Sequence, residues 1–255
     1  MKLEQVRALV TGGVSGLGLA VAEKFTAGGG QAVLLDINDG AGAAAEAELG
    51  EAAHYIRADV TSEEEVAGAV AQAVGRMGAL NVAVNCAGII GAGRVLGREG
   101  PMPLDFFSKV IQVNLVGSFN VCKAAGAAME ANEPGDGGER GVIVSTASVA
   151  AYEGQIGQAA YSASKAGIVG MTLPIAREFT RIGVRVMTVA PGIFWTPMLE
   201  GMPDHVQESL AASIPFPSRL GRPEEFAELV AHIVENGYFN GETVRLDGAV
   251  RLTPK

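Results

Sequence analysis

Cysteine and histidine are scarce in this 255-residue chain, two of one and three of the other, and they are scattered rather than grouped. A disulfide scaffold and a structural zinc site both need such ligands at short, regular spacing, so neither is expected. A chain with so few thiols, none paired by spacing, is expected in a reducing cytoplasm. Cations are the minority charge: 19 Lys and Arg stand against 28 Asp and Glu, a formal net charge of −9. General nucleic-acid binding needs basic surface for the phosphates, and this mean field has the wrong sign. Long apolar runs are missing too. The longest uncharged stretch, Met77 to Gly93, falls short of the ~20 apolar residues of a membrane span and includes two Asn. Val6-Arg7-Ala8-Leu9-Val10 leads straight into a glycine loop, so no signal or transit peptide is expected there.

What the chain has in quantity is glycine. The 35 Gly are about twice the usual ~7%, while 48% of residues are hydrophobic and only 18% charged. Disordered chains combine low hydrophobicity with high charge, and collagen needs a three-residue glycine period; neither pattern is present. The composition fits a packed domain whose backbone makes many close approaches. Short β-rich runs at Val6–Val10, Ala32–Asp36, His54–Ala58, Leu80–Val84, Val142–Ser145, Val184–Val189 and Thr243–Leu246 alternate with helical patterns. The helices are expected near Leu17–Ala27, Ala41–Leu49, Glu63–Met77, Phe106–Met129, Ala159–Arg181 and Glu224–Val234. Strands buried on both faces read as continuous apolar runs, and helical crossovers join parallel neighbours. The expectation is one α/β domain over residues 1–255, a doubly wound (Rossmann) parallel sheet of about seven strands with helices on both faces. Residues 196–223, rich in Pro and without clear periodicity, read as an excursion over the sheet edge.

Chemistry gathers at three places. The first strand ends in Thr11-Gly12-Gly13-Val14-Ser15-Gly16-Leu17-Gly18 and runs into a helix. Glycines at such a turn let the backbone approach a pyrophosphate held at the helix N-terminus. The same run also reads as a tight-packing turn. Asp36 ends the second strand, where a carboxylate hydrogen-bonds ribose hydroxyls and repels a 2′-phosphate, and no Arg or Lys follows at Ile37-Asn38. That favours NAD over NADP; a solvated turn-opening Asp is the competing reading. Asp59 and Val60, after the third strand, flank an adenine or simply lead into the next helix. Third, Tyr161 and Lys165 lie four residues apart on one helix face. An ammonium one turn away is expected to draw a phenol down from ~10 toward neutrality. Ser148 follows the fifth strand at the carboxyl edge, where open α/β sheets place ligands.

Taken together, Thr11-Gly12-x-x-x-Gly16-x-Gly18, Asn85-Cys86-Ala87-Gly88, Asn114, Ser148, Tyr161, Lys165 and Pro191-Gly192 resemble the short-chain dehydrogenases/reductases, in motif order along nearly the whole chain. Cys86 replaces the usual second Asn of the Asn-Asn-Ala-Gly motif and is read as a small buried thiol, not a nucleophile; Cys122 is read as core. Runs outside the common signature look like the type-2 3-hydroxyacyl-CoA dehydrogenase subfamily. They include Asn132-Glu133-Pro134, Glu153-Gly154-Gln155, Ile214-Pro215-Phe216-Pro217-Ser218-Arg219 and Arg245-Leu246-Asp247-Gly248-Ala249.

The resemblance implies an NAD-linked homotetramer that interconverts 3-hydroxyacyl-CoA and 3-ketoacyl-CoA by hydride transfer. It assigns Tyr161 as general acid/base, Lys165 as its electrostatic partner and ribose anchor, Ser148 as substrate-orienting hydroxyl, and Asn114 as holder of a relay water. It assigns the cofactor to Gly12, Ser15, Gly16, Leu17, Gly18, Asp36, Asp59, Val60, Cys86, Ala87, Gly88, Tyr161, Lys165, Pro191, Gly192, Ile193, Phe194 and Thr196. Gln155 and Gln158 join Ser148 and Tyr161 as candidate substrate contacts, with exposed loop residues as the alternative reading, and Arg94, Arg98, Arg219 and Arg222 are available to CoA phosphates. Two other functions stay open: an alcohol or hydroxysteroid dehydrogenase of the same fold, and a non-catalytic NAD(H)-binding scaffold.

Overall fold

The computed structural model describes residues 1–98, 100–196 and 204–254. Seven strands form the central sheet: β1 Arg7–Thr11, β2 Gln31–Asp36, β3 Ala53–Arg57, β4 Val82–Asn85, β5 Gly141–Thr146, β6 Val184–Pro191 and β7 Thr243–Leu246. Their order is β3-β2-β1-β4-β5-β6-β7, and every neighbouring pair is parallel. The helices are α1 Gly16–Ala27, α2 Asp39–Leu49, α3 Glu63–Met77, α4 Leu104–Ile111, α5 Gly117–Glu130, α6 Ala159–Phe179, α7 Asp204–Ala212 and α8 Pro223–Glu235. The fold class read from the sequence is the one observed. One expected helix, Phe106–Met129, is divided: a π-helical turn at Gln112–Val116 separates α4 from α5. The helix α6, by contrast, runs through Pro174 without interruption.

The sheet is buried on both faces, which is why its strands read as unbroken apolar runs. Alternate residues take opposite sides. Ala8, Val10, Leu34 and Val84 pack into one core with Phe25 of α1 and Phe226 of α8. Leu9, Val33, Leu35 and Ala83 pack into the other with α3 and α5. Local capping fixes the helix starts, that of α2 two residues earlier than expected. Ser62 accepts from the Glu65 N–H at 3.2 Å, and Asn38 accepts from the Ala41 N–H at 3.1 Å. Both satisfy donors that a helix leaves unpaired in its first turn.

The strand order reverses between β1 and β4, and open α/β sheets bind ligands in the crevice outside the carboxyl ends at such a point. Thr11 pins that crevice. Its hydroxyl oxygen accepts from the Cys86 and Ala87 N–H groups at 3.2 and 3.1 Å, so the glycine loop and Asn85-Cys86-Ala87-Gly88 lie side by side. Of the expected 196–223 excursion, residues 197–203 lie outside the described residues. Among the described residues, no helix is long and apolar enough to cross a membrane.

A charged residue of β6 sits inside the framework. Arg185, in β6, is buried and donates to the Ile233 and Phe239 carbonyls at 2.9 and 2.8 Å, to Val234 at 3.0 Å, and to Glu139 at 2.8 Å. Two of those carbonyls close the end of α8, where a cation also suits the helix dipole. Arg185→Met strands Glu139 and leaves three carbonyls without their donor. It is expected to cost about 3–5 kcal/mol, read as a lowered midpoint in chemical denaturation; a loss under about 1 kcal/mol would refute this role.

Candidate active site

A cavity of about 340 Å³ opens at the carboxyl ends of β4, β5 and β6. The sequence-predicted residues Leu17, Cys86, Gly88, Ser148, Gln155, Gln158, Tyr161 and Lys165 line it, as do Pro191, Gly192, Ile193, Phe194 and Thr196. Each reaches it for a local reason. Ser148 leaves β5 in extended conformation and caps a short 3₁₀ turn, its hydroxyl oxygen accepting from the Ala150 N–H at 3.1 Å. Tyr161 and Lys165 project from the first turns of α6, with Nζ 5.7 Å from the Tyr161 ring centroid. Lys165 is buried and donates to the Thr146 carbonyl at 2.8 Å, so the end of β5 fixes both Ser148 and the ammonium.

Asn114 lies in the π-helical turn and is fully buried. Its amide accepts from the Ile89 N–H at 2.8 Å, donates to the Ile89 carbonyl at 3.0 Å, and donates to Ser164 Oγ at 3.0 Å. Ser164 in turn donates to the Tyr161 carbonyl at 2.7 Å. Both amide hydrogens of Asn114 are thus spent on tying the Ile89 loop to α6, and a relay water held here does not use them. The structure shows the backbone-bonded asparagine of a helix irregularity, a usual place for functional residues.

The remaining predicted residues lie outside the cavity lining. Gly12, at φ +62°, has no room for a side chain: a Cβ there would come within 2.8 Å of the Ala87 nitrogen. A Cβ on Gly18 would run into the Gly12 carbonyl. The helix α1 starts at Gly16 behind an extended Ser15 that makes no side-chain cap, so its leading N–H groups have no side-chain acceptor from that residue. Asp36 spends one carboxylate oxygen on the Ile37 and Asn38 N–H groups at 2.8 and 3.1 Å. Asp59 accepts from the Thr61 N–H and hydroxyl, both at 2.8 Å, in the turn that leads into α3, and Val60 packs against Gly117 in the core.

This layout matches known proteins across its length. Residues 6–207 match the short chain dehydrogenase family. The chain is 54% identical over 249 residues to the 3-hydroxyacyl-CoA dehydrogenase type-2 of Bos taurus, covering 97% of this chain and 95% of the relative. The Homo sapiens protein of the same name matches equally, at 54% over 249 residues with the same coverage. The solved structure of 3-hydroxyacyl-CoA dehydrogenase type-2 from Mycobacterium avium superposes with a TM-score of 0.94 at 45% identity, over 97% of this chain and 96% of that one. The chain belongs to the short-chain dehydrogenases. It is an oxidoreductase, and the family implies a nicotinamide cofactor. The cradle fits one: a turn too tight for side chains at Gly12 and Gly18, an N-terminus of α1 that Ser15 leaves uncapped, and a carboxylate at the end of β2.

Electrostatics in this short-chain dehydrogenase depart from expectation. Lys165 was expected to draw the Tyr161 phenol down, but in the chain by itself burial pushes it up, and a Ser148 hydrogen bond is what works against that. Burial acts on Lys165 as well, pulling it down from 10.5 to about 8. The Cys86 thiol, facing Thr146 Oγ1 at 3.4 Å, and the Cys122 thiol are both pushed up to about 11 by burial. Neither is a thiolate nucleophile at neutral pH. Cys86 is half-buried rather than buried, with its sulfur turned inward. Cys122 is in the core as read, yet it also meets a buried polar pair, Asn85 donating to its sulfur at 3.4 Å and to Ser145 Oγ at 3.1 Å.

Several site features escaped sequence reasoning. Leu210 and Leu252 reach the cavity from distant parts of the chain, with no motif to announce them. Arg57 stands beside Asp36 through the β2–β3 register, although no cation follows Asp36 along the chain. Its guanidinium lies 3.7 Å from Asp39 and 3.9 Å from Glu65. Gln155 and Gln158 are half-buried and line the cavity, but Gln158 Oε1 accepts from the Gln155 N–H at 2.9 Å and Gln155 Nε2 donates to the Thr253 carbonyl at 3.0 Å. Of the four arginines considered for CoA, Arg219 makes a two-pronged pair with Glu225 at 2.6 and 2.8 Å, and Arg222 is 3.7 Å from the same carboxylate.

The depressed Lys165 has a consequence for stability. Below pH about 8 both folded and unfolded chains carry the charge, and the folded chain bears the full cost of burying it. Between about 8 and 10.5 the folded form releases its proton first, so this cost fades as pH rises. Lys165→Met is therefore expected to stabilise the cofactor-free protein at pH 7 by about 2 kcal/mol, after allowing for the lost bond to Thr146. The gain should vanish above pH 10.5, as followed by denaturation across pH. A destabilised variant at pH 7 would overturn this account.

Proposed function

We propose that this protein is an NAD-dependent dehydrogenase that interconverts 3-hydroxyacyl-CoA and 3-ketoacyl-CoA. The observation that carries the reading is the convergence of Ser148, Tyr161 and Lys165 on one cavity in a chain 54% identical to the type-2 enzymes. A bound nicotinamide supplies the hydride acceptor, or the donor in the reverse direction. The chain's own residues handle the oxygen and its proton. Ser148 holds the substrate oxygen toward Tyr161, and Tyr161 Oη takes the hydroxyl proton in oxidation and returns it in reduction. Lys165, one helical turn away, favours the phenolate for as long as it keeps its own proton, up to about pH 8 in the cofactor-free chain. Asn114 and Ser164 hold this stretch of α6 in place. Because burial raises Tyr161, oxidation quickens and reduction slows toward alkaline pH.

Asp36 supports NAD over NADP. Among the described residues its second carboxylate oxygen has no partner, and the nearby Arg57 already faces two carboxylates. The cavity walls supplied by Ile89, Ile90, Ile193, Leu210 and Leu252 suit an acyl chain. They would also suit a steroid, which keeps the alcohol or hydroxysteroid reading as the second one. We further read residues 1–255 as one domain, since strands from Arg7 to Leu246 join one sheet. A homotetramer is supported by exposed apolar residues on neighbouring helices, Leu104 at 76%, Phe119 at 49% and Leu173 at 43%. A cytoplasmic setting is supported by two free thiols.

The decisive assay follows NADH consumption with acetoacetyl-CoA beside NADPH and a free keto-steroid. Turnover is expected with NADH and the thioester, at least tenfold above either alternative. Preference for the steroid would move the protein to the second reading, and NADH binding without any turnover would leave a scaffold. Tyr161→Phe is expected to lower kcat by ~10³-fold while NADH binding stays within twofold; full activity in that variant would remove the mechanism. Light scattering should give four copies per particle, and a stable active monomer would refute the assembly.

A further inference from the structure

We propose that an ion cluster built on Arg245 clamps the C-terminal segment Val250–Pro254 into place as a wall of the active-site cavity. In this scheme Arg245 is a positioning residue and Leu252 a specificity-determining one. The inference rests on the acyl-CoA reading for what the cavity receives.

The cluster joins three parts of the chain. Arg245, in β7, donates to both carboxylate oxygens of Glu153 at 2.7 and 2.9 Å, and to Asp247 at 2.7 Å. Arg251 adds a second cation, 3.1 Å from Asp247 and 3.5 Å from Glu153. Two acids and two bases balance, and the fork of Arg245 matches a carboxylate bidentately. The guanidinium also lies 5.1 Å from the centroid of the Tyr152 ring. These pairs hold Arg245 firmly charged, Glu153 contributing most.

From this cluster two paths lead to the cavity. One runs through the loop before α6. Glu153 precedes Gly154, whose missing side chain leaves the space occupied by Ser162 Oγ, and Ser162 is the neighbour of Tyr161. The other runs through the tail. Arg245 Nη2 donates to the Val250 carbonyl at 3.2 Å, Gln155 Nε2 to Thr253 at 3.0 Å, and the Ile156 N–H to Pro254 at 3.0 Å. Val250 is buried with Ile214 and Leu220 in a small apolar cluster that Leu210 and Leu252 join. Leu210 and Leu252 are both cavity-lining residues. One packed unit therefore spans the α7 side of the cavity and the tail, and the ion cluster anchors it to the loop that leads to Tyr161.

Two variants and two readouts test this. Arg245→Lys keeps a cation but removes the two-pronged geometry. It is expected to speed hydrogen exchange of the Ile156 amide at least tenfold relative to the wild type, with Leu9 in β1 unchanged and NADH binding reporting an intact fold. Leu252→Trp leaves the cluster alone and narrows the wall. It is expected to lower the ratio of kcat/KM for 3-ketooctanoyl-CoA to that for acetoacetyl-CoA at least tenfold. An unchanged exchange rate in the first variant overturns the clamp, and an unchanged ratio in the second overturns the wall. Absence of thioester turnover in the wild type would strike the acyl-CoA reading and with it the role of Leu252, while the exchange rates would still decide the clamp.

Discussion

Everything in the site depends on how closely the ends of β1 and β4 approach one another. A parallel sheet whose order reverses there must open a crevice between the two strands' outgoing loops. Thr11 sets the width of that crevice with one hydroxyl oxygen shared between two backbone N–H groups. Gly12 keeps it narrow, since even a methyl group would collide with Ala87. The next strands outward, β5 and β6, then deliver Ser148 and Pro191 to the same edge. Lys165 closes the arrangement by reaching from α6 back to the last carbonyl of β5.

That closure has an energetic side. A buried ammonium with a single hydrogen bond to a neutral carbonyl is a poor choice for stability and a good one for electrostatics. Burial lowers the proton affinity of Lys165 from 10.5 to about 8 and raises that of Tyr161 above its ordinary 10, so it drives their acidities apart across one helical turn. The same dry surroundings silence Cys86 and Cys122, while the hydroxyl-bearing Ser148 and Tyr161 both line the cavity.

How much of this was legible in the sequence depended on range. The bounds of α3 and β7 follow directly from pattern and capping, because Ser62, the three glutamates after it and the alternating apolar residues act over a few positions. The Tyr161–Lys165 pair was legible for the same reason: helical geometry fixes it within one turn. Arg57 was not, because only the register of β2 against β3 brings it to Asp36, and register has no local signature. Leu252 was hidden likewise, being a single apolar residue in a stretch without periodicity. The direction of the Tyr161 shift was misjudged because spacing reveals the neighbouring charge but not the depth of burial. Phe106–Met129 read as one helix since a π-helical turn keeps helical composition and changes only the bonding.

That turn at Gln112–Val116 sets a rule for how the gene can change. A π-helical turn is in effect one residue more than an α-helix of the same rise needs. Deleting any one residue there would restore regular α-helical bonding and so would look harmless locally. It would leave Val121, Cys122 and Ala125 of α5 near their places in the core they share with α3, because the turn absorbs its extra residue within itself; what it would disturb is the wide turn from which Asn114 bonds to Ile89 and Ser164. Beyond that turn the count is strict, since a residue gained or lost within α5 would rotate the apolar residues that follow it by about 100°. Substitutions can accumulate along it, but its length is not free to drift.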